Sequence, residues 1–78
     1  MTVYPVQIEV VHFKGGYYMV KQVHILEDTS KEIVIYEALD GENKGKTYMR
    51  HRANFIEPVL WPDGVIRPRF TPVEGEWE

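Results

Sequence analysis

HFKGGYYMVKQVHILEDTSKEIVIY, residues 12 to 36, places two runs rich in β-branched and aromatic residues on either side of a polar turn. Such residues fit a pleated, half-buried surface, so the runs read as neighbouring strands over 17–26 and 32–39. Ahead of them, Lys14-Gly15-Gly16 offers residues that accept the positive φ of a tight reversal. Val6, Ile8 and Val10 alternate with Gln7, Glu9 and Val11, the period of two that predicts a strand over about 6–13. Glu27 to Lys31 supplies turn-favouring polar residues between the second and third strands. Beyond them, Asp40 to Gly45 reads as a second turn, Thr47 to Arg50 as a fourth strand, and Arg52 to Phe55 as one helical turn stopped ahead of Pro58. Pro62-Asp63-Gly64 between Leu60-Trp61 and Val65-Ile66 marks a further hairpin. Pro68 and Pro72 each lack a backbone donor, which confines the last arm to a sheet edge or a loop. Short strands at this spacing predict an all-β fold, a small antiparallel barrel or meander with a C-terminal hairpin arm.

Composition bounds what such a chain can do. Seventy-eight residues bury only about 60% of the surface that the unfolded chain exposes, so a single small β domain over 1–73 is expected. The chain has no cysteine, so neither disulfides nor a thiolate metal site can staple it. No apolar run reaches the roughly 20 residues of a membrane span, and MTVYPVQIEV lacks the basic start and apolar middle of a signal peptide. The expected location is cytoplasmic, with no membrane partner. The formal charge of −3 is carried by Glu74, Glu76 and Glu78, since residues 1–73 hold nine acids and nine Lys or Arg. The body is neutral on balance, with an acidic flexible tail over 74–78, which argues against a basic nucleic-acid footprint over the whole domain.

No catalytic constellation emerges, so the chain is read as a non-enzyme without a cofactor. Ser30 is the one serine, and it sits in a charged turn without the strained strand-to-helix setting of a nucleophile. His12, His24 and His51 fall on different strands or their ends with no short spacing, which favours ordinary histidines over a zinc site. Glu27-Asp28 is contiguous, so the two carboxylates diverge instead of flanking a substrate; Asp28 or Thr29 bonding a nearby backbone N–H is the expected role. Lys14-Gly15-Gly16 lacks the Lys-Ser/Thr and helix of a phosphate loop and reads as a hairpin turn. One pattern does point to ligands. Lys44, Lys46, Tyr48, Arg50 and Arg52 share parity, so an extended chain would set them on one face as a basic stripe over about 26 Å. Cations with an aromatic ring between them are what sheet-surface readers of single strands and nucleotides use; the competing and favoured expectation is that Lys44 and Lys46 are solvated turn lysines, Arg50 pairs with a carboxylate and Tyr48 is core.

The same residues resemble a known family. His12, Lys14, Gly15, Tyr18, Val20, Asp28, Thr29, Glu32, Val34 and Tyr36 stand in the order, without gaps, of the bacterial and phage proteins grouped as domain of unknown function 1653. The likeness continues through Leu39, Gly41, Tyr48-Met49-Arg50 and Phe55, and so covers about 11–59, leaving 60–73 as an arm outside it. Tyr48 stands where the family has Trp, His51 where Pro is usual, and Leu26 where His is common. The resemblance implies a compact β domain similar to an SH3-type barrel and brings no established activity. The family's occurrence in phages implies, by analogy, a host-manipulating protein that sequesters a protein or a nucleotide signal.

Two expectations follow. The first is a binding or adaptor module with a cleft between the turn joining strands two and three and the 46–52 segment. Tyr17, Tyr36, Tyr48 and Arg50 would line it, the rings stacking and Arg50 gripping a carboxylate or phosphate of a protein or small anionic ligand. The alternative is single-stranded nucleic acid or another phosphate ligand bound through Lys44, Lys46 and Arg52 of the stripe. Both faces of strands two and three read as largely apolar, so a cover is expected over the second face: first the arm carrying Leu60, Trp61, Val65, Ile66 and Phe70, then a second copy in a homodimer, then a ligand.

Overall fold

The computed structural model describes residues 7–75, so Val6 at the start of the expected first strand and residues 76–78 of the acidic tail lie outside it. Strands β1 (Ile8–His12), β2 (Tyr17–Leu26), β3 (Lys31–Ala38) and β4 (Thr47–His51) follow one another as an antiparallel meander. A single helical turn, α1 (Arg52–Phe55), leads to the hairpin β5 (Pro58–Leu60) and β6 (Ile66–Pro68), and β7 (Phe70–Pro72) closes the described chain. The main sheet has the order β4-β3-β2-β1-β7, and β5-β6 form a separate two-stranded ladder. The all-β meander with its hairpin arm is as expected, but the sheet is open. Among the described residues no ladder joins β4 to β7, so the closed-barrel form is not reached.

The turns form where local chemistry asks for them. Gly15 and Gly16 take φ of 97° and 92°, and the Gly15 amide donates to the His12 carbonyl at 2.8 Å while His12 N–H reaches Gly16 at 3.0 Å. At the next turn Thr29 Oγ1 accepts the Lys31 amide at 3.3 Å, the role foreseen for Asp28 or Thr29. In the hairpin, Asp63 Oδ1 accepts the Val65 amide at 3.1 Å and binds Arg67 through both carboxylate oxygens at 3.1 and 2.7 Å. Arg67 also lies 5.4 Å from the Trp61 ring, whose Nε1 donates to the Pro68 carbonyl at 3.1 Å.

A register break in β2 decides which residues enter the core. Val20 pairs with Tyr36 but Gln22 with Ile35 and Val23 with Val34, so one residue is extra between Val20 and Gln22. A bulge of this kind transfers every later side chain to the opposite face. Tyr18, Val20, Val23 and Ile25 therefore lie on one side of the sheet, where strict alternation would have put Val23 and Ile25 with Tyr17 and Met19. That correction takes Val23 and Ile25 off the outer face and puts Leu26 on it. Tyr17, Met19, Ile33, Ile35 and Met49 remain on the outer face, where Met19, Ile33 and Ile35 are half-buried but Tyr17 and Met49 are 44% and 73% exposed.

The inner face holds a small core of Val10, Val20, Val34, Tyr36, Phe55 and Phe70, with Ala38 also buried. Phe55 from α1 and Phe70 from β7 stack face to face, their centroids 4.1 Å apart at 2°. Tyr36 meets both edge-on, at 5.2 and 5.1 Å. Rings bury much area for few residues and gain further from such geometry. Two elements distant in sequence thus close the concave side of a sheet that has no disulfide to hold it.

Candidate functional site

Beside this core lies a hollow of about 230 Å³ lined by His12, Tyr18, Tyr36, Asn43, Tyr48, Arg50 and Phe70. Each wall comes from a different element. Pairing sets His12 opposite Phe70 and Tyr36 opposite Tyr48, with Tyr18 beside them on β2. The His12 ring approaches Phe70 at 4.7 Å, and Tyr18 meets Phe70 and Tyr36 edge-on at 5.5 Å each. Tyr48 lies 5.7 Å from Tyr36. The Tyr36 ring is only 5% exposed. Within the described residues no hydrogen bond engages the hydroxyls of Tyr18, Tyr36 or Tyr48.

Arg50 supplies the charge. Its guanidinium carbon lies 5.6 Å from the Phe70 centroid, and Nη1 donates to Asn54 Oδ1 at 2.8 Å. Asn54 Nδ2 in turn donates to Glu57 Oε1 at 3.3 Å, and Glu57 is held by Arg69 at 2.7 Å. Arg69 Nε also donates to the Asn54 carbonyl at 3.1 Å. The acid of this chain thus faces Arg69, and a neutral amide faces Arg50. Among the described residues Arg50 makes no ion pair, whereas Lys21 pairs with Glu37, Arg67 with Asp63 and Arg69 with Glu57.

The titrating groups around the hollow respond to that field. Burial holds the His12 pKa below its ordinary value, with Arg50, Arg69 and Lys14 acting in the same direction. The Lys14 backbone N–H donates to His12 Nδ1 at 3.1 Å, so in the neutral ring Nε2 carries the proton. Burial raises the Tyr18 pKa, helped by Tyr36, Tyr48 and Asp40 and opposed by Arg50. The lining thus holds hydroxyl and ring N–H groups and one guanidinium, with no carboxylate among its residues.

The expected cleft divides in two. Tyr36, Tyr48 and Arg50 do meet, but by the turn that follows β3, together with Asn43. Tyr17 does not join them: it lies on the outer face at 44% exposure, its amide donating to Asp40 Oδ1 at 3.1 Å. Its neighbour Tyr18 takes the inner place. Between the β2–β3 turn and α1, where the cleft was expected, lies a larger depression of about 520 Å³ lined by Ser30, Lys31, Glu32, His51, Arg52, Ala53, Asn54 and Glu57. Its charges are mixed and none of the tyrosines reaches it.

The basic stripe is also broken. Lys44 is exposed in the 42–45 turn, Lys46 precedes β4 with Nζ on Asn43 Oδ1 at 3.3 Å, and Arg52 opens α1. Only Tyr48 and Arg50 keep the shared face, because the chain is extended only over Thr47–His51. Four lining residues escaped the first expectation: His12, Tyr18, Asn43 and Phe70. His12 and Tyr18 were among the residues carrying the family resemblance, a signal that could have drawn them in. Asn43 reads only as a turn residue, and Phe70 is brought there by its pairing with β1.

A family model described as protein of unknown function (DUF1653) matches residues 9–72. The match takes in the hairpin arm and β7, which had been placed outside the resemblance. The fold is similar to the crystal structure of a DUF1653 protein from Bordetella bronchiseptica, with a TM-score of 0.71 and 23% identity over 90% of this chain and 87% of that one. No curated protein matches the chain.

Proposed function

The chain belongs to the DUF1653 family, and from that premise we propose that it is a non-enzymatic binding module whose ring-lined hollow receives the anionic group of a small ligand. The observation that carries this reading is Arg50, a half-buried guanidinium pinned by the Asn54 amide, without an ion pair among the described residues, at the wall of a cavity lined by rings. A cation drawn partly out of water gains most from a counter-charge. A carboxylate or phosphate supplies it through charge-assisted hydrogen bonds. Asn54, held from the other side by Glu57, keeps the guanidinium from swinging away, so little order remains to be imposed on binding. The rings give the organic remainder of the ligand apolar and stacking contact. Binding without turnover is favoured because the His12 lone pair that would act as a base is occupied by the Lys14 amide.

A ligand-observed NMR screen of small carboxylates and phosphates against the wild type and Arg50→Gln tests the reading. Saturable binding to the wild type that weakens about tenfold or more in Arg50→Gln is expected, the loss of one charge-assisted contact. Equal binding by the two proteins would reject Arg50 as the anchor.

A further inference from the structure

The donors around the hollow outnumber what a carboxylate can use. Resting on the reading above, we propose that the group held is the phosphate of a small phosphate monoester. Tyr18, Tyr36 and Tyr48 each bring a hydroxyl that no described residue engages. Arg50 has one of its N–H groups on Asn54 and, with five donors in all, keeps the others. Asn43 accepts Lys46 Nζ through Oδ1 at 3.3 Å, which leaves its NH₂ as a donor. His12 adds the proton on Nε2. These side chains come from β1, β2, β3, the β3–β4 turn and β4, so their donors approach from several directions and not in one plane. A carboxylate offers two oxygens in a plane. A phosphate monoester offers three terminal oxygens arranged tetrahedrally, each able to accept more than one bond. So many donors, drawn from five segments, suit the second acceptor better.

Charge points the same way. Around His12 stand Lys14 from its own turn, Tyr18 from β2, Tyr36 from β3, Tyr48 and Arg50 from β4, and Arg69 ahead of β7 with Glu57 as its partner. The acid Asp40 acts on Tyr18 and accepts the Tyr17 amide. The balance is positive, which repels an ammonium group and favours a dianion. The volume of about 230 Å³ suits a phosphate with one ring-sized group against the tyrosines. Burial lowers the His12 pKa most, and an anion lodged here would offset the further lowering by Arg50, Arg69 and Lys14, so occupancy is expected to make protonation of that ring easier.

The probes are inorganic phosphate, phenyl phosphate, benzoate and a phosphotyrosine peptide, titrated at pH 7.5 into the full chain and followed by NMR. Phenyl phosphate is expected to bind at least about tenfold tighter than benzoate, equivalent to one charge-assisted hydrogen bond. It should shift the His12 ring signals and raise the midpoint of their pH titration. Tyr18→Phe and Tyr48→Phe keep the rings, and each should weaken phenyl phosphate several-fold while leaving benzoate nearly unchanged. Benzoate binding as tightly as phenyl phosphate would overturn the phosphate assignment and leave the anion-binding reading standing. A peptide binding more than about tenfold tighter than phenyl phosphate would replace the small molecule by a protein segment. No shift at His12 with any of the four would overturn both.

Discussion

Replacing Phe55, Phe70 or both by leucine measures how much of the fold rests on one pair of rings. Phe55 and Phe70 are 0% and 2% exposed, and their stacked contact at 4.1 Å joins α1 to β7 across the concave side of the sheet. Leucine keeps the site apolar but is smaller than the ring it replaces, so each change costs something, though less than the roughly 3–5 kcal/mol of truncation to alanine. Loss of ring geometry adds about 0.5–1.5 kcal/mol per pair. Phe70 also meets His12, Tyr18 and Tyr36, whereas Phe55 meets Tyr36 as its further ring contact. With two more ring pairs to lose, Phe70→Leu should therefore cost more than Phe55→Leu, by about 1–3 kcal/mol. In a domain of this size 1 kcal/mol moves Tm by roughly 4–8 °C. Urea denaturation followed by circular dichroism on the wild type, both single variants and the double variant closes the cycle. A coupling energy of about 0.5–1.5 kcal/mol is expected. A value below about 0.3 kcal/mol, the scatter of independent sites, would refute the claim that this stack ties α1 to β7.

The bulge in β2 makes Val23→Asp and His24→Asp unequal: Val23 pairs with buried Val34 while His24 faces outward. The first should cost about 1–3 kcal/mol and the second no more than about 0.5, and equal losses on urea titration would contradict the shifted register. The His12 pKa is depressed below 6.5 in the folded chain, so the unfolded chain takes up its proton first as pH falls. Stability from this group is complete above about pH 6.5 and declines as pH drops toward the folded value. Thermal melts between pH 8 and 5 should show that decline, and His12→Gln should flatten it; an identical slope in the variant would reject the assignment. Lys44→Ala combined with Arg52→Ala should leave the affinity for phenyl phosphate unchanged, since neither residue lines the hollow. A steep loss there would restore the linear basic stripe.

Much of the fold was legible because local rules and long-range packing agree over most of the chain. Tyr17–Leu26, Thr47–His51 and Arg52–Phe55 form the elements their residues favour, and the Pro62-Asp63-Gly64 hairpin closes as its turn chemistry requires. The misreadings share a physical cause. A bulge is a property of two strands in register, so nothing within β2 alone announces that Val23 turns inward. The choice between Tyr17 and Tyr18 rests on that same register, as both suit a strand equally. The last arm was read as one hairpin, yet Phe70–Pro72 leaves it to pair with β1, where Phe70 gains the rings that fill the core. The hollow inherits this dependence. Tyr36, Tyr48 and Arg50 were visible as a pattern over neighbouring strands, whereas Phe70 and Asn43 reach it only once the sheet has curled.

Backbone amide shift mapping with phenyl phosphate on uniformly labelled protein locates the bound anion. Saturable shifts are expected on His12, Tyr18, Tyr36, Asn43, Tyr48 and Arg50, and they should disappear in Arg50→Gln. Shifts gathered instead around Lys31, His51 and Arg52 in the larger depression, or persisting unchanged in Arg50→Gln, would contradict that placement.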